Sequence, residues 1–295
     1  MIDWPSYNRS LVRRGEILFS YDFLDNWGSE LEIMNKNKKG KPFIFPNSFI
    51  LAIGYIRYSF HLPYRQTEGI IKATGKSLPD NPPSYGHICK RINKLNIDIK
   101  REKRDGDYII VSIDSTGIKI TNRGQWMDKK WNVQNRKGYL KIHVAVNIKT
   151  KEILVLEVSD EKVHDGKVLK KLVSNVSDSR EPNTVKIKSV LADGAHDTNT
   201  NFQYLEQKGI TPGIKVRKNS IVSPKNNRSR NKEVMLQTKD LKWKKKRKYG
   251  HRWMAETVFS IIKRMFGEHA SATRFDNMVK EMMIKVSLYN LFRRI

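Results

Sequence analysis

Two aspartates lie in short apolar runs that are typical of buried β-strands. Asp114 lies within the β-rich run 108–120, and Asp193 ends the run 189–193. A carboxylate among apolar residues costs free energy unless it is paired or bound to a metal ion. Asp193 also falls at the carboxyl end of its predicted strand, where open α/β sheets concentrate their binding groups. Taken singly, each aspartate is explained equally well as a strand-end cap or as half of a structural ion pair.

A third carboxylate, Glu256, lies on an amphipathic helix predicted over residues 249–266. At about 100° per residue, Arg252, Glu256 and Lys263 fall within a stripe of roughly 40°, and Tyr249 lies beside it. The opposite side of this helix is apolar and is expected to pack against a core. By itself the stripe is better explained as a solvated face, whose Arg252–Glu256 pair contributes only about a few tenths of a kcal/mol.

The positive charge of the whole chain indicates a reaction in which the three carboxylates could act together. The 295 residues include 57 Lys and Arg against 30 Asp and Glu, a net charge of +27, and such an excess usually belongs to a protein whose partner is a polyanion. Mg²⁺ and Mn²⁺ prefer carboxylate oxygens and keep exchangeable waters. Two such ions roughly 4 Å apart activate the attacking oxygen and stabilise the leaving one in phosphoryl transfer.

Composition excludes several classes of protein. Cys89 is the only cysteine, so neither an internal disulfide nor a cysteine-ligated zinc site is expected. Charged residues interrupt the first 30 positions, which argues against a secretory signal. The longest apolar stretch, residues 43–58, is too interrupted to span a bilayer. We therefore expect a soluble, cytoplasmic protein that binds nucleic acid.

The spacing of apolar residues divides the chain into two parts. Residues 1–104 have the apolar spacing of helices, and a possible helix-turn-helix over residues 64–95 makes this part a predicted DNA-binding region. The same pattern is also typical of plain helix packing. Residues 105–295 begin with three strands that resemble antiparallel neighbours and continue with alternating helices and strands. This order predicts an α/β fold in which helices flank a mixed sheet.

A basic block, residues 215–248, comes just before the amphipathic helix. It holds 14 Lys or Arg against two acids, a net charge of +12, and we expect a loop or β-hairpin that contacts DNA. Trp243 is a candidate for stacking on an unpaired base, although a lone aromatic among lysines is more often packed within the hairpin. The candidate DNA contacts that follow it are Lys244, Lys245, Lys246 and Arg247.

These features together resemble the insertion-sequence DDE transposases of the RNase H-like, retroviral-integrase superfamily. The most specific likeness is to the subgroup with a Y-x2-R-x3-E-x6-K signature. The runs 112–120 and 192–197 are similar to the segments that carry the two catalytic aspartates, and residues 4–15 and 125–146 also look like this group. His196 departs from the pattern, since a tyrosine is expected there. The signature is matched at every spacing by Tyr249, Arg252, Glu256 and Lys263.

The resemblance implies an RNase H-like fold and a catalytic, metal-binding triad that holds two Mg²⁺ or Mn²⁺ ions. It also implies that the other three signature residues contact phosphates near the end of the element. The implied activity is binding of terminal inverted repeats, metal-dependent phosphodiester hydrolysis and DNA strand transfer, by a homodimer on DNA. The resemblance implies a cytoplasmic, nucleoid-associated protein whose partner is DNA, with no membrane contact and no small-molecule substrate. The triad consists of Asp114, Asp193 and Glu256.

Two other functions fit the same residues: a catalytically silent DNA-binding protein derived from a transposase, and an RNase H-like structure-specific nuclease. Among the other acids, Asp197 is the nearest rival to Asp193 and is otherwise a cap for the helix that follows it. Asp165 is more simply explained as a helix cap. The histidines at 143, 164 and 196 do not have the spacing of zinc ligands.

Overall fold

Two compact units make up the chain, Met1–Asp98 with Ala272–Ile295, and Ile99–Ser271. The computed structural model describes residues 3–74, 78, 81–99, 108–120, 139–177, 186–239 and 242–295. The predicted boundary at residues 104 and 105, and most of the stretch 125–146, lie outside the described residues. In the described part of the chain, no helix is long and apolar enough to cross a membrane.

The first unit is built from helices around an apolar core rich in aromatic rings. Phe45 and Phe49 lie with their ring centroids 6.2 and 5.2 Å from that of Trp27, and all three side chains are buried. Rings of this size contribute a large share of a core's buried apolar area. The N-terminal helices of this unit are α1 (Trp4–Leu18), α2 (Trp27–Asn35), α3 (Asn47–Ser59), α4 (Tyr64–Thr74) and α5 (Tyr85–Ile92).

The segment predicted as a helix-turn-helix contains α4 and α5. Ser84 caps α5 by accepting a hydrogen bond from the backbone N–H of His87 at 3.3 Å. Glu68 on α4 accepts one from the backbone N–H of Tyr85 at 2.7 Å, which ties the two helices together. Tyr85 and Lys90 are exposed on α5. Part of the connecting turn lies outside the described residues, and DNA binding by this pair stays a prediction.

The second unit is built on a five-stranded mixed sheet. Its elements in chain order are β1 (Tyr108–Lys119), β2 (Tyr139–Asn147), β3 (Ile153–Asp160), α6 (Asp165–Ser177), β4 (Lys186–Ala192), α7 (Asn199–Gln207) and β5 (Thr211–Ile214). The strand order is β3-β2-β1-β4-β5. The first three strands pair antiparallel, whereas β4 is parallel to both β1 and β5. The predicted α/β fold, a mixed sheet flanked by helices, is confirmed.

Residues on β1 divide between the two faces of the sheet. Val111 and Ile113 are buried in an apolar cluster with the leucines and valines of α6. Because successive residues of a strand point to opposite faces, Ser112, Asp114 and Thr116 share the other face. The alternation that builds the core on one side therefore presents a polar row on the other.

The basic block contains two helices, α8 (Arg228–Lys239) and α9 (Trp243–Lys246). The prediction of a loop or β-hairpin is wrong for residues 228–239 and 243–246. The side-chain oxygen of Asn227 accepts hydrogen bonds from the backbone N–H groups of Ser229 and Arg230, at 2.8 and 3.4 Å. This satisfies donors that a helix start leaves unpaired, and it favours a helix despite the polar composition.

The amphipathic helix has a tighter start than predicted. Residues Tyr249–Arg252 form a 3-10 turn, and α10 spans Trp253–Phe266. Gly267 follows α10 with a φ of 78°, a conformation that glycine adopts without steric cost at a helix end. The last helix, α11 (Phe275–Arg293), belongs to the first unit, where Ile284 joins the apolar core. The sequence placed this helix in the same part of the chain as the sheet, residues 105–295, because it follows the sheet in the chain.

Candidate active site

Asp114 lies on the polar face of β1, next to the first turn of α10. Its Oδ2 accepts a hydrogen bond from Arg252 at 3.1 Å, and its Oδ1 accepts one from the backbone N–H of Ser115 at 2.9 Å. Burial raises the pKa of the Asp114 carboxyl above its ordinary value, and the negative charges of Asp193 and Glu256 act in the same direction. The contact with Arg252 lowers this pKa, but burial outweighs it.

Glu256 lies in the first turn of α10, and Arg252 joins it to Asp114. The Arg252 guanidinium donates to Glu256 Oε1 and also to Asp114. The backbone carbonyl of Arg252 accepts a hydrogen bond from Ser112 Oγ at 2.8 Å. Apolar residues of α10, among them Val258, are buried and hold the helix in place. The side chain of Glu256 is 54% exposed, so it can exchange one partner for another without a large loss of packing.

Asp193 comes directly after β4, at the carboxyl end of that strand. Its Oδ1 accepts a hydrogen bond from the backbone N–H of Ala195 at 3.0 Å, which caps the 3-10 turn Gly194–His196. The side chain is 44% exposed, and its charge reaches Asp114 strongly enough to raise the pKa of that carboxyl. Asp193 thus lies at the end of its strand, as predicted, and its carboxylate also caps the turn that follows.

The three predicted carboxylates lie in one electrostatic neighbourhood. Asp114 and Glu256 both contact Arg252, and both Asp193 and Glu256 act on the pKa of Asp114. Among the described residues, no three acids, histidines or cysteines are close enough together to hold one ion in this geometry. The donors are all carboxylate oxygens, the type that Mg²⁺ and Mn²⁺ prefer. A bound cation would offset the charge that burial makes costly at Asp114.

The remaining signature residues surround these carboxylates. Lys263 donates a hydrogen bond from Nζ to Thr116 Oγ1 at 2.9 Å. A groove runs along α10 from Asp114 and Glu256 to Lys263. Tyr249 and Arg252 begin and end the 3-10 turn that precedes α10, and burial raises the pKa of the Tyr249 hydroxyl while the nearby Arg252 charge acts in the opposite direction. Thr116 was missed in the sequence, although it lies two residues after Asp114 in a predicted strand and therefore shares its face.

A second polar cluster lies on the opposite face of β1. Asp165, the first residue of α6, accepts hydrogen bonds from Ser115 Oγ at 2.7 Å and pairs with Lys141 Nζ at 2.8 Å. His143 Nδ1 lies 3.4 Å from the same carboxylate, and His143 Nε2 lies 2.9 Å from Ser159 Oγ. Asp165 is therefore the centre of a half-buried polar cluster as well as the start of a helix.

We expect His143 to make the protein less stable in acid. Burial lowers its pKa to about 4, against an ordinary value of about 6.5. The unfolded chain therefore takes up a proton that the folded chain resists, and the free energy of unfolding falls as pH drops from about 6.5 to about 4. The loss attributable to this group is about 3 kcal/mol. Chemical denaturation of wild type and His143→Gln across this range measures it.

The variant is expected to lose less stability between pH 6.5 and 4 than the wild type. His164→Gln, which changes an exposed histidine, serves as the control and should follow the wild-type profile. Identical pH profiles for wild type and His143→Gln would contradict the assignment.

Asp197, the rival of Asp193, is bound to residues of the basic block. Its side chain is fully buried and binds the guanidinium of Arg230 at 2.7 and 3.1 Å. It also accepts hydrogen bonds from Ser220 Oγ and the backbone N–H of Arg217, each at 3.0 Å. Thr198, not Asp197, caps α7, so the predicted capping role is wrong. Asp197 instead fastens the basic block to the end of β4.

Trp243 and Arg247 are held inside the basic block. Trp243 is 5% exposed, and its Nε1–H donates to Glu233 Oε2 at 2.7 Å. Arg247 donates to the same carboxylate. The prediction that Trp243 stacks on a base is contradicted by this burial, and the packing alternative holds, within helices rather than a hairpin. Lys244, Lys245 and Lys246 are exposed on α9.

Comparison with known proteins gives two family models and several solved structures. A model described as Transposase DDE domain matches residues 105–291, and a second with the same description matches residues 12–123. The chain is 10% identical to a piggyBac transposase synaptic complex with hairpin DNA, covering 95% of this chain and 73% of that one at a TM-score of 0.46. It is also 10% identical to the Drosophila P element transposase strand transfer complex, covering 90% and 69% at a TM-score of 0.32.

Proposed function

Because this chain belongs to the DDE transposase family, we propose that it binds the terminal inverted repeats of an insertion sequence, hydrolyses phosphodiester bonds there and transfers the freed strand to target DNA. The observation that carries the proposal is the meeting of Asp114 and Glu256 at Arg252, with Asp193 close enough to act on the pKa of Asp114. DNA is the proposed partner, and a net charge of +27 supports it.

Asp114, Asp193 and Glu256 are the residues proposed to hold two Mg²⁺ or Mn²⁺ ions. When bound, such ions lower the pKa of the attacking water or 3′-hydroxyl and stabilise the charge on the leaving oxygen. The part-exposed side chains of Glu256 and Asp193 support this role, since they face solvent where a phosphate can approach. Arg252, which contacts two of the three carboxylates, keeps their mutual repulsion in check.

Lys263 and Thr116 are proposed to bind the phosphate next to the scissile one. Both lie on the groove that leads away from the carboxylates, and their hydrogen bond of 2.9 Å orients the ammonium group. Arg252 and Tyr249 are proposed to bind a phosphate on the other side. Arginine is suited to this because its planar fork of donors matches phosphate oxygens. The contacts position the strand, while the sequence is read elsewhere.

Sequence recognition is proposed for the helical unit, with α5 as the element that enters a groove. Tyr85 and Lys90 are exposed on this helix and support the idea. Arg91 is held differently, since it is buried and donates to Asn47 Oδ1 at 2.9 Å. A homodimer on DNA is proposed because two element ends must be processed together.

A cleavage assay on labelled duplexes tests the proposed function. One duplex carries an end of the element that encodes the chain, and a second has the same composition in scrambled order. We expect Mg²⁺ or Mn²⁺ to produce a nick at the element end and, with target DNA, a strand-transfer product, and EDTA to abolish both. Binding without any metal-dependent cut would indicate a silent DNA-binding protein. Equal cutting of both duplexes would indicate a nuclease without end recognition.

A further inference from the structure

Glu233 is a buried acid in a segment where almost every charge is positive. It lies on α8 and is 1% exposed, and it is one of only two acids in residues 215–248. Its carboxylate accepts the Nε1–H of Trp243 at 2.7 Å and is paired with Arg247. Burying a carboxylate is costly unless its oxygens are satisfied. Both oxygens of Glu233 have donors, so the interaction is built into the fold.

The indole that Glu233 holds packs against a signature residue. The rings of Trp243 and Tyr249 lie with their centroids 4.9 Å apart and are tilted by 44°. Paired rings at this distance attract each other beyond the area they bury. The position of the Tyr249 ring therefore depends on the orientation of Trp243, which the bond to Glu233 determines.

Tyr249 lies in the same 3-10 turn as the residue that joins the carboxylates. Tyr249 begins this turn and Arg252 ends it, and side chains three residues apart in a 3-10 helix lie above one another. Arg252 donates to both Asp114 and Glu256. Hydrogen bonds, a ring contact and one turn of backbone thus connect a buried acid in the basic block to two members of the proposed metal site.

We infer that Glu233 is a positioning residue, which acts through Trp243 and Tyr249 to set the Arg252 guanidinium against Asp114 and Glu256. Its kinetic consequence rests on the proposed DNA cleavage, whereas its structural consequence does not. The arrangement also links the exposed lysines of α9, which begin immediately after Trp243, to the carboxylates. DNA bound by those lysines would then be positioned relative to the residues that would cut it.

The test uses the full chain with Glu233→Ala, and Glu281→Ala as the matched control. Glu281 is an equally buried acid, paired with Lys285 in the helical unit. We expect Glu233→Ala to lower the rate of cleavage at saturating DNA by about ten- to a hundred-fold, while the Kd for DNA changes less than about two-fold. Glu233→Gln keeps an oxygen acceptor for the indole and is expected to recover most of that rate. If Glu233 had only a structural role, Glu281→Ala would lower the cleavage rate as much as Glu233→Ala does, provided that both variants lose the same free energy of unfolding.

A double-mutant cycle tests whether the effect passes through Tyr249. If it does, Glu233→Ala adds less than about a two-fold loss in a Tyr249→Ala background, because coupled residues are not additive. Fully additive losses would overturn the inference. Where Glu233→Ala does not fold, Trp243→Phe keeps an aromatic ring beside Tyr249 while it removes the Nε1–H donor together with one ring of the indole. This variant then takes the same place in the cycle.

A nuclear magnetic resonance measurement separates this inference from the proposed function. The Nε–H signal of Arg252 is expected to shift in Glu233→Ala and in Tyr249→Ala, and to stay in place in Glu281→Ala. This readout needs no DNA cleavage. A wild-type protein that cuts no DNA would therefore defeat the proposed function alone, while an Arg252 signal unmoved in a folded Glu233→Ala protein would overturn the positioning role.

Discussion

We expect Glu256→Ala to reduce metal-dependent DNA cleavage by roughly a thousand-fold or more. Positioned metal ions contribute several kcal/mol to the stabilisation of a phosphoryl-transfer transition state, and each 1.4 kcal/mol corresponds to about ten-fold in rate. Glu256 is the most exposed of the three carboxylates, so its removal should leave the fold intact. The measurement is the single-turnover rate of nicking of a labelled element end in Mg²⁺ or Mn²⁺, beside a thermal unfolding curve.

Glu206→Ala is the matched control for this substitution. Glu206 is an exposed acid on α7. This variant should cut DNA at the wild-type rate, since Glu206 does not line the groove along α10. Cleavage by Glu256→Ala at the wild-type rate would rule out this residue as the third carboxylate, and the metal site would have to be sought elsewhere.

The second large effect is expected from the exposed lysines of α9. Each phosphate neutralised by a protein cation contributes about 0.9 to the slope of log affinity against log salt concentration. Replacing Lys244, Lys245 and Lys246 with Gln should therefore lower that slope by about three. Between 50 and 200 mM salt, the wild type then loses roughly forty-fold more affinity than the triple variant. Fluorescence anisotropy with a labelled duplex over this range measures both slopes.

Arg247→Gln provides the contrast, because the charge is removed in the same segment from a half-buried side chain. Arg247 binds the buried carboxylate of Glu233, so we expect this variant to lose stability while its salt slope stays within about one of the wild type. If the triple lysine variant keeps the wild-type slope, α9 does not contact phosphates. If Arg247→Gln lowers the slope as much as the three lysines together, the division between anchoring and DNA-contacting cations is wrong.

The sheet was predictable because its signals are local. Strict alternation along residues 139–148 and the β-branched run around Asp114 identify strands without knowledge of their partners. The same alternation places Asp114 and Thr116 on one face. The Arg252–Glu256 pair follows equally from helical spacing. Strand residues and helix turns repeat at fixed periods, so residues that share a face can be identified from their spacing alone.

The secondary structure of the basic block was mispredicted because composition does not show which residues hold its helices in place. Lysines and arginines dominate it, yet the two helices depend on a cap at Asn227 and on the buried acids Glu233 and Asp197. Each anchor works through a partner distant in sequence or through a backbone group whose orientation composition does not reveal. The same holds for Trp243, whose burial results from the carboxylate ten residues earlier and the ring of Tyr249.

The carboxylates themselves show where local information stops. The sequence alone determined the types of residue, the strand that carries Asp114, the strand end at Asp193 and the helical stripe that carries Glu256. Only the tertiary structure decided that Arg252 reaches Asp114 across 138 residues, and that Asp165 and Asp197 are committed to other partners. Spacing along a helix or strand follows from backbone geometry, whereas a contact between distant elements depends on the packing of the whole sheet and its helices.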